Sequence, residues 1–347
     1  MKVLISGTAG AAGWPSPGCG CASCSRAPSG RRPTSVVLGD SVRLPPTGPL
    51  PPGYRASPGP DGLTVTTPGG RRVLYAAACP PVSLPDGEPD PACVGEALDL
   101  VLLDVLDRPE RLGDLRRRGL VGERTHVVAV DVDHRVPTEA ELSRRAAVWG
   151  VRAVPDGTVI DIGEPPPVPA PPPRRTLLLG GTRSGKSAEA ELRLVSEPEV
   201  LYVATGPSGD GDPEWLRRVR AHRDRRPAHW ETAETTDLAG LLRSAGTPLL
   251  IDGLGTWVAS VFDECEAWSG GNGLDAVTAR CDDLVAAWRQ TRARVVAVSD
   301  EVGLGVVPAT ASGRMFRDVL GRLNQRLAAE SEDVALVVAG RLLLLPC

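Results

Sequence analysis

Residues Gly180-Gly181-Thr182-Arg183-Ser184-Gly185-Lys186-Ser187 follow directly on the apolar run Thr176-Leu177-Leu178-Leu179, and no other stretch restricts the fold so closely. The spacing G-x-x-x-x-G-K-[ST], after a short strand and before a helical stretch, is the phosphate-cradling P-loop. Its glycines let backbone N–H groups turn inward as an anion nest, and the helix that follows adds its positive end. Lys186 is placed to reach the β/γ-phosphates of a nucleotide, and the Ser187 hydroxyl to ligate Mg2+. Composition sharpens this reading. The chain holds only two lysines, Lys2 and Lys186, among 39 basic residues. A chain that uses arginine almost everywhere has a lysine where a compact ammonium serves a phosphate as a point charge.

At 347 residues, 41% of them hydrophobic and 24% charged, the chain is long enough for two domains, each with its own core. A net charge of −4 gives no footprint for a nucleic-acid partner. No apolar run reaches the length of a membrane span. Gly7 and Gly10 interrupt any signal-peptide core, so a cytoplasmic protein is expected. The boundary is visible as a proline rod over 165–173, which favours an extended polyproline segment over helix or sheet. This gives one domain over 1–162, a linker over 163–173 and a second domain over 174–347.

The second half alternates strand-like and helical runs as an open, mostly parallel α/β sheet does. Strands are expected at 176–179, 200–204, 248–252, 295–299 and 334–339. Helices are expected at 187–195, 212–225, 236–245, 274–292 and 314–329. Ligands in such sheets bind at the carboxyl ends of strands, and the candidate motifs fall there. Ala204-Thr205-Gly206 either contacts a nucleotide or merely ends a strand. Two of the four histidines, His222 and His229, lie among arginines between Arg218 and Trp230. Guanidinium neighbours disfavour an imidazolium, leaving a neutral nucleophile beside groups that hold phosphate oxygens. That suits a phosphoryl- or nucleotidyl-histidine; the alternative is an exposed basic helix carrying a histidine by chance. Leu249-Leu250-Ile251-Asp252 is an apolar strand ending in an acid, the Walker B pattern that holds Mg2+ directly or through water. Asp300 and Glu301 end the next strand; one of them is a base for a substrate hydroxyl, or Ser299 or Asp300 caps a helix.

Taken in order, these motifs resemble a known family. They include Leu201-Tyr202-Val203-Ala204-Thr205, His222 four residues after Arg218, Arg226-Pro227 before Trp230, and Thr232-Ala233-Glu234. Glu301-Val302-Gly303-Leu304-Gly305 and Phe316-Arg317-Asp318 complete the set. It is similar to the bifunctional adenosylcobinamide kinase / adenosylcobinamide-phosphate guanylyltransferases of cobalamin biosynthesis, over essentially all of 174–347. The resemblance implies a P-loop NTPase-like fold and two reactions. A phosphoryl group passes from ATP or GTP to adenosylcobinamide. GTP then guanylylates a histidine, and the GMP passes to adenosylcobinamide phosphate. By motif match the nucleophile is His222. The implied nucleotide contacts are Gly180, Gly181, Thr182, Arg183, Ser184, Gly185, Lys186 and Ser187, then Ala204, Thr205 and Gly206. Arg223, Asp224, Arg225, Arg226, Glu234 and Asp252 complete them. Asp252 departs from the glutamate of many members, keeping the carboxylate with a shorter reach. Self-association is also implied.

In the first half, strands are expected at 2–6, 72–77, 98–105, 126–132 and 158–162, while 27–60, rich in Pro, Gly and Ser, reads as irregular or poorly ordered. Cys19, Cys21 and Cys24 form C-x-C-x-x-C, a thiolate cluster suited to zinc. A fourth ligand could come from His126, His134, Cys79 or Cys93, and spacing does not choose among them. Cys79, Cys93, Cys265, Cys281 and Cys347 are scattered, and most of them read as buried thiols. With Val3-Leu4-Ile5-Ser6-Gly7-Thr8-Ala9-Gly10, the cluster resembles the start of metallo-β-lactamase-fold phosphodiesterases. Those enzymes build a dinuclear site on H-x-H-x-D-H, whereas 1–162 contains only His126 and His134. This half therefore reads as a smaller, non-catalytic α/β remnant of that fold. Two other functions stay open: a simple P-loop small-molecule kinase, and a metal-dependent hydrolase acting through 1–162.

Overall fold

Strand β1 (Lys2–Gly7) turns Val3 and Ile5 inward and Lys2 and Leu4 outward, the period-2 pattern of a strand with one buried face. In the computed structural model, which describes residues 1–27, 30–46, 48–77, 96–206, 217, 220 and 226–346, β1 opens the first of two compact units. The units are Met1–Pro171 with Val195–Pro198, and Pro172–Leu194 with Glu199–Cys347. Between 164 and 173 the chain has neither helix nor strand and is largely exposed, as a proline-rich linker should be.

In the first unit β1 pairs antiparallel with β2 (Ser35–Leu38) and β9 (Thr158–Asp161), and β3 (Val42–Leu44) pairs with β2. A second sheet runs in the order β4 (Arg55–Gly59), β5 (Gly62–Thr66), β6 (Arg72–Ala76), β7 (Leu100–Leu103), β8 (His126–Ala129). Its last three strands are parallel. The sheets share one core, with Val3, Ile5, Val36 and Leu38 meeting Val65, Val73, Leu100 and Val128. Helices α1 (Ala22–Arg26), α2 (Glu110–Arg117) and α3 (Glu139–Trp149) complete the unit.

The expectation that 27–60 is irregular is corrected, because β2, β3 and β4 all fall within it. Pro58 disguised one of them. It sits on β4, the outer strand of its sheet, where a missing N–H costs no ladder bond. Cys79, Cys93 and Cys347 lie outside the described residues.

The second unit is a seven-stranded sheet in the order β12-β11-β13-β14-β10-β15-β16. These strands are β10 (Arg175–Gly180), β11 (Leu201–Ala204), β12 (Glu231–Glu234), β13 (Leu249–Asp252), β14 (Val295–Asp300), β15 (Asp333–Val338) and β16 (Arg341–Leu345). All neighbours are parallel except β16, which turns back on β15. Five helices are described: α4 (Lys186–Leu194), α5 (Leu238–Ser244), α6 (Leu254–Glu264), α7 (Asn272–Gln290) and α8 (Ala311–Ala329).

Strand parity sorts the core. Leu178, Tyr202, Leu250, Val296 and Val298 pack with Ala190 and Leu194 of α4. Leu177, Val203, Ile251 and Ala297 face the layer that includes Leu238, Trp257, Leu284 and Leu323. Of the helix expected at 212–225 only Arg217 and Arg220 are described, both helical and exposed; the rest lies outside the described residues. No helix among the described residues is long and apolar enough to cross a membrane.

Candidate functional site

The loop after β10 has the backbone its sequence demands. Arg183 and Gly185 both take positive φ, 60° and 98°. A Cβ on Gly180 would stand 2.6 Å from Ser184 Oγ and 2.6 Å from Val337 O, so this position admits only glycine. Ser184 Oγ is buried with no hydrogen-bond partner among the described residues, a polar atom in the loop left to a ligand. Lys186 opens α4. Its Nζ donates to Gly181 O at 3.1 Å and forms an ion pair with Asp300 Oδ1 at 2.8 Å.

Parity also brings the acids to this loop. Tyr202 pairs in register with Leu250, and Asp252 lies two residues on, so Asp252 falls on the same sheet face as Tyr202 and α4. By the same count Asp300 follows Val296 and Val298 on that face. Asp252 Oδ1 accepts from Ser187 Oγ at 2.9 Å, and Oδ2 accepts from Tyr202 Oη at 2.6 Å. Burial, then the charge of Asp252, holds the Tyr202 phenol above its ordinary pKa, so it is a standing donor. Hydroxyl and carboxylate oxygens are hard donors, and the pair Ser187–Asp252 fits Mg2+ on that ground.

Ala204, Glu234 and Asp252 end three neighbouring strands in register. Thr205 is buried, and its hydroxyl donates to Gly253 O at 2.6 Å while its carbonyl accepts from Ser260 Oγ at 3.3 Å, so this residue serves the turn. The expected capping role of Ser299 or Asp300 is corrected. Glu301 caps the short turn Val302–Leu304, accepting from Gly303 N at 3.1 Å. Ser299 Oγ instead donates to Asn324 Oδ1 at 2.6 Å, while Asp300 faces Lys186.

Of the arginine-flanked segment, His222, Arg223, Asp224 and Arg225 lie outside the described residues. Arg226 stacks on Tyr202 with its guanidinium carbon 3.7 Å from the ring centroid. His229 Nε2 is buried and has no hydrogen-bond partner among the described residues. Tyr202 is the site residue that sequence reasoning missed. The signal was there, since a tyrosine in a buried strand needs a partner for its hydroxyl, but the partner is set by register.

In the first unit the cysteine cluster acquires its fourth member. Ligand atoms of Cys19, Cys21, Cys24 and His134 all lie within 4.8 Å of one another. His134 Nδ1 is 3.8 Å from both Cys19 Sγ and Cys24 Sγ. Zn–S bonds of about 2.3 Å and a Zn–N bond of about 2.0 Å in a tetrahedron require edges of about 3.5–3.8 Å, so the set fits zinc after small adjustment. The Cys24 N–H and then the Cys19 side chain hold the Cys21 thiol below its ordinary pKa. Ser23 ties the two segments independently, accepting from Trp14 Nε1 at 3.1 Å and donating to Val136 O at 2.6 Å. His126 is engaged elsewhere, with Nε2 2.9 Å from Glu164 O. Cys281 is buried, as expected, whereas Cys265 is only half-buried.

The family model for cobinamide kinase / cobinamide phosphate guanyltransferase matches residues 176–345. The bifunctional adenosylcobalamin biosynthesis protein CobU of Salmonella typhimurium is 39% identical over 179 residues, 47% of this chain and 95% of that protein. The bifunctional adenosylcobalamin biosynthesis protein CobP of Pseudomonas aeruginosa is 41% identical over 174 residues, 48% of this chain and 94% of that protein. Among solved structures, a prototypical ATPase from the type III secretion system of pathogenic bacteria is similar at 13% identity and a TM-score of 0.31, covering 47% of this chain and 50% of that one.

Proposed function

The chain belongs, through residues 176–345, to the cobinamide kinase / cobinamide phosphate guanyltransferase family, and on that premise we propose that one nucleotide site in its second unit serves two successive transfers. The enzyme acts in cobalamin biosynthesis as an adenosylcobinamide kinase and adenosylcobinamide-phosphate guanylyltransferase. In the first transfer the aminopropanol hydroxyl oxygen of adenosylcobinamide bonds to the γ-phosphorus of ATP or GTP. The bond to the bridging oxygen breaks, and the nucleoside diphosphate leaves. The hydroxyl proton passes to a strand-end carboxylate, Asp300 or Glu301. Lys186 and the inward N–H groups of 180–187 hold the phosphates as charge shifts between them. Bound Mg2+, held by Ser187 and Asp252, supplies further neutralisation of that charge.

In the second transfer a ring nitrogen of His222 bonds to the α-phosphorus of GTP and pyrophosphate leaves. A phosphate oxygen of adenosylcobinamide phosphate then displaces the histidine, giving adenosyl-GDP-cobinamide and free His222. Arg223, Asp224, Arg225, Arg226, Glu234 and the Ala204–Thr205–Gly206 turn complete the nucleotide contacts in this reading. Self-association belongs to it as well, with Leu343 and Leu344 exposed on the edge strand β16.

The observation that carries the reading is the convergence of Lys186 on Asp300 at 2.8 Å and Ser187 on Asp252 at 2.9 Å, directly beside the loop. The test is incubation with GTP labelled at the α-phosphate, chased with adenosylcobinamide phosphate. An acid-labile label that transfers to the acceptor is expected. His222→Ala should lose the label and keep the kinase step, while Lys186→Ala should lose both. Kinase activity without any label would leave a simple P-loop kinase.

For the first unit, the Cys19, Cys21, Cys24 and His134 set supports a structural zinc, and free thiols there fit a reducing compartment, the cytoplasm. Two packed sheets with flanking helices are compatible with a metallo-β-lactamase-fold remnant. A hydrolase acting through 1–162 would instead show phosphodiesterase activity that survives Lys186→Ala.

A further inference from the structure

Tyr202 stands between two parts of the site that the chemistry above leaves unconnected. On one side its hydroxyl donates to Asp252 Oδ2 at 2.6 Å, while Asp252 Oδ1 accepts from Ser187 Oγ at 2.9 Å. On the other, the Arg226 guanidinium lies 3.7 Å above the ring and also donates to Thr232 Oγ1 at 3.2 Å. Thr232 is the residue paired with Tyr202 across β11 and β12. Tyr202 is only 5% exposed and packs among Leu178, Ala190, Trp230 and Leu250. It cannot swing aside.

Resting on the nucleotide reading above, we propose that Tyr202 is a positioning residue that locks the Asp252 carboxylate toward Ser187 and couples that carboxylate to Arg226. A carboxylate free to turn about its last torsion must be ordered whenever a cation binds, and that ordering weakens binding. Here both oxygens are already committed, one to the loop hydroxyl and one to the phenol. The short reach of an aspartate matters for the same reason: with one torsion fewer than glutamate, it leaves less freedom for these two bonds to remove. Arg226 adds the link to the second chemistry. A planar guanidinium stacked on an aromatic face holds its place by shape as well as charge. Arg226 and the acid used for the cation are therefore braced by one ring.

Tyr202→Phe tests this, because it keeps the ring, its packing and the Arg226 stack and removes only the donated bond. Mn2+ binding would be read by electron paramagnetic resonance in the presence of a non-hydrolysable GTP analogue. A charge-assisted hydrogen bond of this kind leads us to expect Mn2+ affinity about 5–10-fold weaker. Affinity for the analogue in EDTA should stay within about twofold of the unaltered protein, since the bond acts on the acid and not on the phosphates. The Mg2+ concentration giving half-maximal kinase rate should rise by the same factor, with the rate recovered at saturating Mg2+. Arg226→Lys, which keeps the charge and loses the planar stack, should weaken Mn2+ binding about 2–3-fold.

A folded Tyr202→Phe variant with unchanged Mn2+ affinity overturns the proposal. Should that variant melt early, Asp252→Asn supplies the second arm. Adding Tyr202→Phe to it must weaken Mn2+ binding no further, and full additivity overturns the coupling. Unaltered protein that binds no GTP analogue would sink the nucleotide reading itself, an outcome distinct from a variant that binds nucleotide and cation normally.

Discussion

Asp300→Asn should tighten nucleotide binding, because a triphosphate competes with this carboxylate for the Lys186 ammonium. The two groups are 2.8 Å apart, with side chains 13% and 36% exposed. At an effective dielectric of about 20 a pair this close attracts by about 6 kcal/mol before desolvation and ordering are subtracted. What survives in a partly exposed pair is about 1 kcal/mol. Releasing that amount converts to about fivefold in Kd, and removing a negative charge near the phosphates acts in the same direction. A fluorescent GTP analogue titrated in EDTA isolates this effect from any role of Asp300 near the cation. The expected result is a Kd about 5–10-fold lower at low salt. The gain should shrink toward twofold at about 0.5 M salt, where the Debye length falls to roughly 4 Å. Lys186→Ala should move Kd the opposite way, by tenfold or more. Unchanged or weaker binding by Asp300→Asn in EDTA would refute the competition. Its kcat carries separate information: if Asp300 is the base for the hydroxyl, kcat falls while nucleotide binds more tightly, a split that a lost binding contact does not produce.

The cysteine cluster predicts that purified protein carries about one zinc per chain by elemental analysis. Stripping the metal should open Cys19 and Cys21 to iodoacetamide. Cys281, whose thiol burial pushes up to about 11, should stay unreacted. His134→Ala should abolish the protection by zinc, and protection that persists would remove His134 from the set. Gly253→Ala probes the turn after β13, where φ is +115° and a Cβ would stand 2.4 Å from Thr256 Oγ1. The cost should be about 1–3 kcal/mol in urea unfolding; a loss under about 0.5 kcal/mol would show that the turn relaxes freely.

What could be read from the sequence was what is local along it. The P-loop is one contiguous segment, and the buried parallel strands show as apolar runs, so β10, β11, β13, β14 and β15 fall within a residue or two of expectation. Helix α6 carries its period in plain sight, since Leu254, Trp257, Val258, Val261 and Phe262 recur at i, i+3, i+4, i+7 and i+8 and are all buried; it went unread although the signal was local. Strand β16 escaped because its turn, Ala339-Gly340, reaches φ of 50° and 72° without the Asn-Gly signature of a tight hairpin. His134 was one of four candidate ligands until folding brought it beside cysteines more than 100 residues away.

The same distinction explains why the acids were legible and their brace was not. A strand ending in aspartate is visible in one dimension, and Asp252 and Asp300 could be named from the motif alone. Which face each acid takes follows from counting in twos from the buried residues of its own strand. That count already puts both on the side of α4, with Lys186 and Ser187. The Tyr202–Asp252 bond needs one more fact, that β11 and β13 are neighbours with Tyr202 opposite Leu250. A slip of one residue would turn Asp252 to the face that Ile251 now takes and separate it from both Ser187 and the phenol. The site therefore depends on the register of β11 against β13 as much as on the loop. Substitutions that loosen this pairing at Val203 or Ile251, both fully buried, should weaken cation binding before they unfold the unit.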